Sequence, residues 1–167
     1  FNISDYPELI TFQAWNTMSL KWIDPTGCPE LVRLSIDATS VASLDVSKNP
    51  KLRILNISDT RIPSVDLSSN PVLTEFYCTH QSGSLNTDIK LTSLDLTNNP
   101  ELYYLACSGN LLKSIDLSKN PKLFDLSIRE NLLTSIDLSK NTNLYNVKLT
   151  NNYMDFATLP ILSLIHI

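Results

Sequence analysis

The chain is 167 residues long, the size of one domain able to bury a core. It carries 13 Lys plus Arg against 17 Asp plus Glu, a net charge of -4, which excludes the basic footprint of a nucleic-acid-binding domain. No apolar run reaches the ~18 to 20 residues of a membrane span, so no membrane insertion is expected of this segment, and nothing at the N-terminus has the charged-then-apolar order of a signal peptide.

Leucine accounts for 28 residues and glycine for only 3, a bias that points to an internal repeat. Aligned on the leucine that follows each Asn-Pro or its equivalent, units start at Leu9, Leu31, Leu52, Leu73, Leu102, Leu123 and Leu144, at intervals of 22, 21, 21, 29, 21 and 21. Each reads L-x-x-L-x-L-x-x-N-x-L-x-x-L-D-L-S-x-N-P-x, with Thr, Gln or Asn at the ninth place. The first unit departs from this, having Trp22, Asp24-Pro25 and Gly27-Cys28 where the others have DLSKNP. The Leu73 unit runs 29 residues instead of 21, and its eight extra residues, about 82–89, fall within HQSGSLNTDIK. After a shortened unit of 15 residues, 159–167 again reads L-x-x-L-x-L and is expected to form an eighth strand, with Leu162 and Leu164 inward. Because the chain begins in mid-pattern and ends on an apolar strand, it reads as a piece of a longer protein whose uncapped ends favour end-to-end association.

This unit resembles the leucine-rich repeat, and specifically the short repeats of bacterial surface and secreted proteins such as the internalins. The resemblance covers nearly the whole chain. It implies an α/β-type, right-handed solenoid or horseshoe, one domain over residues 1–167. A parallel sheet would line the concave face, with an extended or 3₁₀-like convex side and little α-helix. It also implies a secreted or cell-surface location in a bacterium, and a protein ligand.

The residues lead to the same fold independently. One unit buries too few apolar side chains to offset the entropy of ordering it, so copies must stack. The L-x-L segment alternates with period two, as a strand with one buried face does. It turns Leu34 and Ile36, Leu55 and Ile57, Phe76 and Cys78, Leu105 and Cys107, Leu126 and Ile128, and Val147 and Leu149 inward. Three cysteines, two of them core-facing, imply no disulfide framework. Thr17, Thr39, Thr60, Gln81, Asn110, Asn131 and Asn152 form a column expected to bond backbone in the turn after the strand. The half-units such as SIDLSKNP are too short and Pro-interrupted for a standard helix, and turns are expected at the Asn-Pro pairs.

The Asp column, Asp45, Asp66, Asp95, Asp116 and Asp137, stacks like charges one turn apart. Calcium would offset the repulsion, but backbone N–H donors within each turn do so more simply, and the column is assigned to the scaffold with no metal or cofactor. No catalytic motif is present. His80 lies near Cys78, but Cys78 points inward, out of reach of a nucleophile–base pair, and His80 is expected to be a solvated strand-end residue. No enzymatic activity is expected.

The outward strand residues form the candidate binding face. They read Thr11, Arg33, Ile54, Glu75, Tyr104, Asp125, Asn146 in one column, Gln13, Ser35, Asn56, Tyr77, Ala106, Ser127, Lys148 in the next, and Trp15, Asp37, Ser58, Thr79, Ser108, Arg129, Thr150 in a third. Chemistry that varies on a repeating frame suits recognition, and aromatics are enriched at such surfaces. The expected ligand contacts are Trp15, Arg33, Glu75, Tyr77, Tyr104, Asp125, Arg129 and Lys148. Tyr77 and Tyr104, on adjacent strands, are expected to share one patch, and the insertion, with His80, Ser82 and Asp88, to overhang it as a lip. A protein partner is expected. A glycan stacked on the aromatics, or a spacer role beside another domain, are the alternatives.

Overall fold

A computed structural model describes residues 1–80 and 89–155. Gln81, Ser82, Asp88 and the expected eighth strand at 159–167 lie outside the described residues. Seven short strands form one parallel sheet in sequence order: β1 (Thr11–Gln13), β2 (Arg33–Ser35), β3 (Ile54–Asn56), β4 (Glu75–Tyr77), β5 (Tyr104–Ala106), β6 (Asp125–Ser127) and β7 (Asn146–Lys148). The register follows the repeat: Thr11, Arg33, Ile54, Glu75, Tyr104, Asp125 and Asn146 are successive partners, and so are Gln13, Ser35, Asn56, Tyr77, Ala106, Ser127 and Lys148. Parallel neighbours need a crossover of a dozen or more residues, and the rest of each unit supplies it.

The inward pairs are buried as the alternation predicts, from Leu34 and Ile36 to Leu126 and Ile128, with Leu149 half-buried at the last turn. A second buried row, Val46, Leu67, Leu96, Leu117 and Leu138, closes the core from the convex side. That side contains no α- or 3₁₀-helix among the described residues. It consists of consecutive turns: Asn120 N donates to Leu117 O, and Leu123 N to Asn120 O, each at 3.1 Å, and the pattern recurs at Asn49, Asn70, Asn99 and Asn141.

Two asparagine ladders stitch the turns together. In the expected one, Asn131 Nδ2 donates to Cys107 O in the preceding turn at 3.0 Å, while its Oδ1 accepts from Leu112 N. Asn110 and Asn152 repeat both contacts, and Thr39 and Thr60 donate from their hydroxyls to carbonyls three residues back. The second ladder is that of the Asn-Pro asparagines, Asn49, Asn70, Asn99, Asn120 and Asn141, all fully or almost fully buried. Each donates from Nδ2 to two carbonyls of the preceding turn.

The Asp column is scaffold by its geometry. Asp45, Asp66, Asp95, Asp116 and Asp137 each accept the backbone N–H two residues on, at 2.8–2.9 Å. The divergent first unit keeps this contact: Asp24 accepts from the Thr26 N–H and hydroxyl, and Cys28 replaces the ladder asparagine, its thiol donating to Ile3 O at 3.0 Å. The frame extends further back than Leu9. Asn2 pairs with Asp24 in a parallel bridge and accepts from Ser4 N at 2.9 Å, so Asn2 to Pro7 forms another convex turn.

Candidate functional site

The outward side chains lie on one continuous face because parallel in-register strands place equivalent residues side by side at ~4.8 Å. Near its centre a groove of about 660 Å³ opens, lined among others by Asn56, Tyr77, Tyr104, Ala106, Ser127 and Arg129. Its floor is low because Ala106, Ser108 and Ser127 are small; Ser108 Oγ and Ser127 Oγ lie 3.1 Å apart. Tyr77 and Tyr104 form one wall, stacked with ring centroids 4.9 Å apart at 30°.

The expected patch is thus one physical unit, and two carboxylates border it. Glu75, Tyr104 and Asp125 are register partners on adjacent strands. Tyr77 Oη donates to Glu75 Oε2 at 2.9 Å, and Asn146 Nδ2 donates to Asp125 Oδ2 at 2.8 Å. Burial and the bond to Glu75 push the Tyr77 phenol well above its ordinary value. Tyr104 is raised by burial and by the charges of Asp125 and Glu75.

The other expected contacts are spread more widely. Arg33, Arg129 and Lys148 are on the face, and none joins an ion pair among the described residues; the pairs found there, Lys51 with Glu30 and Lys122 with Glu101, lie on exposed turns. Trp15 is 66% exposed, but its place beside β1 puts it three strand intervals, ~14 Å, from β4. It does not join the tyrosine patch.

His80 corrects the sequence reading. Instead of a solvated strand end it is 4% exposed, and its backbone N–H donates to Ser108 O at 2.9 Å. The adjoining turn packs too closely to leave it in solvent: a Cβ on Gly109, whose φ is +74°, would fall 1.9 Å from His80 O. Its Nδ1 is buried with no hydrogen-bond partner among the described residues, and burial lowers the imidazole's proton affinity. His80 lines the groove from beneath.

One exposed feature lies outside the three columns. Tyr103, Phe124 and Tyr145, at the second place of consecutive units, stack with centroids 4.9 and 5.2 Å apart and rings 6° from coplanar. They run along the rim where each turn enters its strand. The second place precedes the period-two segment, so alternation alone does not flag it; reading that place down the units gives Ile10, Val32, Arg53, Thr74 and then three aromatics.

Short parallel strands, one per turn, with asparagine ladders between them make this a leucine-rich-repeat solenoid. Solved structures place it beside the internalins. The functional domain of InlJ from Listeria monocytogenes, described as including a cysteine ladder, matches with a TM-score of 0.81 and 28% identity over 96% of this chain and 34% of that one. Internalin inlF of the same species matches at 0.76 and 17% identity, over 93% of this chain and 46% of its own, and internalin C2 at 0.65 and 19%, over 98% and 82%. The chain therefore spans about a third to a half of the first two. No family model and no curated protein matches the sequence.

Proposed function

We propose that the chain is a noncatalytic recognition module that binds a protein partner on the outward face of its sheet, as part of a bacterial surface or secreted protein. The observation that carries the reading is the contrast between columns. Leu, Asn and Asp recur turn after turn where they hold the frame, whereas the outward columns change at every turn and meet in a groove walled by the Tyr77–Tyr104 stack. A rigid frame with half-exposed tyrosines resembles the anchor regions of protein interfaces. The likeness to InlJ supports the bacterial surface setting.

A saccharide site would offer ring faces to sugar, but Tyr77 and Tyr104 each cover one face with the other, which favours a protein. The test is binding of the immobilised protein to a library of displayed cell-surface ectodomains beside a glycan array. Expected is ectodomain binding that the Tyr77→Ala/Tyr104→Ala double variant abolishes and Lys119→Ala, on the opposite side, retains. Ectodomain binding insensitive to the double variant, or glycan binding abolished by it, would overturn the reading.

A further inference from the structure

The rim stack is not required by the frame. Frame positions repeat, but the column holding Tyr103, Phe124 and Tyr145 carries Ile10, Val32, Arg53 and Thr74 in the earlier turns. Tyr145 is 77% exposed and Tyr103 46%, so the rings leave apolar area in solvent that a partner would cover. Tyr103 and Tyr104 are consecutive, and Tyr104 stacks on Tyr77. The two stacks, five rings in all, are thus joined through the backbone at Tyr103 and Tyr104, a belt from the rim to the sheet face.

Charge and ring geometry specify the partner. Glu75 and Asp125 flank Tyr104 in register. Each is bonded by a neutral donor, and neither joins an ion pair among the described residues. Arg33 acts on Tyr77, but the charges acting on Tyr104 are those of the two carboxylates, and such a pair about a tyrosine attracts one cation, which the ring also favours. Along the rim, the inner ring faces are occupied by the stack itself, leaving edges whose positive quadrupole suits the face of another aromatic. From these observations we propose that the belt docks a polypeptide segment presenting a cationic side chain to Tyr104 and an adjacent aromatic side chain to the Phe124 rim. This inference rests on the protein-recognition reading above and names the partner chemistry for the same face.

The test is NMR titration of the 167-residue chain with three probes: the blocked dipeptides acetyl-Arg-Trp-amide and acetyl-Glu-Trp-amide, and triacetylchitotriose. The Arg-Trp probe is expected to shift the β5 and β6 amides and the Phe124 and Tyr145 ring signals, binding roughly fivefold tighter than the Glu-Trp probe. Glu75→Gln with Asp125→Asn, both near-isosteric, should abolish that preference, and Phe124→Ala should weaken both dipeptides. Equal affinity of the two dipeptides, or a preference that survives the double substitution, would overturn the inference and leave the protein-recognition reading standing. Dipeptide shifts confined to surfaces away from the belt would also overturn it. Ring shifts with the trisaccharide and none with the dipeptides would remove both readings.

Discussion

Asn120 donates from Nδ2 to the carbonyl of Asn99, one turn away, at 2.9 Å, and to Leu96 O at 3.0 Å. Both acceptors are carbonyls, so only the amide nitrogen can face them and the side chain has a single orientation. Asn99 makes the same pair of contacts to Asn70 O and Leu67 O, even across the unit lengthened by the insertion. The ladder thus measures the solenoid pitch independently of how much chain the turn contains.

Removing one rung deletes two buried hydrogen bonds between turns, while Leu96 O and Asn99 O each keep a backbone donor, Asn99 N and Leu102 N. Asn120→Ala is expected to cost about 1–3 kcal/mol, since each buried hydrogen bond contributes ~0.5–1.5 net. Asn120→Asp should be no better, because a carboxylate has nothing to donate. Urea denaturation of the two variants against the parent is the measurement, and a loss below about 0.5 kcal/mol would show that the rung is not holding the turns.

Most of this frame is legible in the sequence because it is periodic. Aligning the units on their leading leucine fixes the strand register residue for residue, even across the 29-residue unit, including partners as particular as Glu75, Tyr104 and Asp125. The features that are not legible in the repeat have particular reasons. Asn-Pro reads locally as a turn signal, and nothing local shows that its asparagine reaches a carbonyl 24 residues back in the preceding turn. His80 has no counterpart among the polar scaffold columns, and its burial follows from the close approach of Gly109. The rim rings precede the alternating segment, so a period-two reading passes over them.

The convex carboxylates link the frame to pH. Hydrogen bonds from Ser118 lower the Asp116 carboxyl below its ordinary value, and equivalent donors lower Asp24, Asp45, Asp66, Asp95 and Asp137. At Asp95 these bonds outweigh repulsion from Asp66 and Asp116. A folded-state pKa below the unfolded value makes the unfolded chain bind more protons. The contribution is therefore complete above the unfolded value near 4 and is lost as pH falls through the folded values. Asp116→Asn keeps an acceptor for Ser118 N, so it should leave stability at pH 7 nearly unchanged and reduce its slope below pH 4, read from denaturation midpoints between pH 3 and 7.

His80 acts in a higher window. Burial outweighs the field of Asp59 and lowers its proton affinity in the fold. The buried neutral form is therefore fully favoured above the unfolded pKa of ~6.5, and stability declines as pH drops below it toward the folded value. The parent is expected to melt progressively lower from pH 7 to 5, and His80→Leu to flatten that slope while changing the melting point at pH 8 by less. A slope unchanged by the substitution would assign the dependence to other groups.

The aromatic patch has a spectroscopic signature of its own. Tyr77 is raised by burial, by its bond to Glu75 and by that carboxylate's charge, and Tyr104 also feels Glu75. Glu75→Gln keeps an oxygen acceptor for Tyr77 Oη but removes the negative charge. Both phenols should then ionise at lower pH than in the parent, visible as an earlier rise in tyrosinate absorbance on alkaline titration, with Tyr77 moving further because two of its causes involve Glu75. Burial remains, so neither is expected to fall to the ordinary value near 10. If the titration of Glu75→Gln overlays that of the parent, the Tyr77 hydroxyl does not rest on Glu75 in solution, and the wall of the groove is arranged differently from the stack described above.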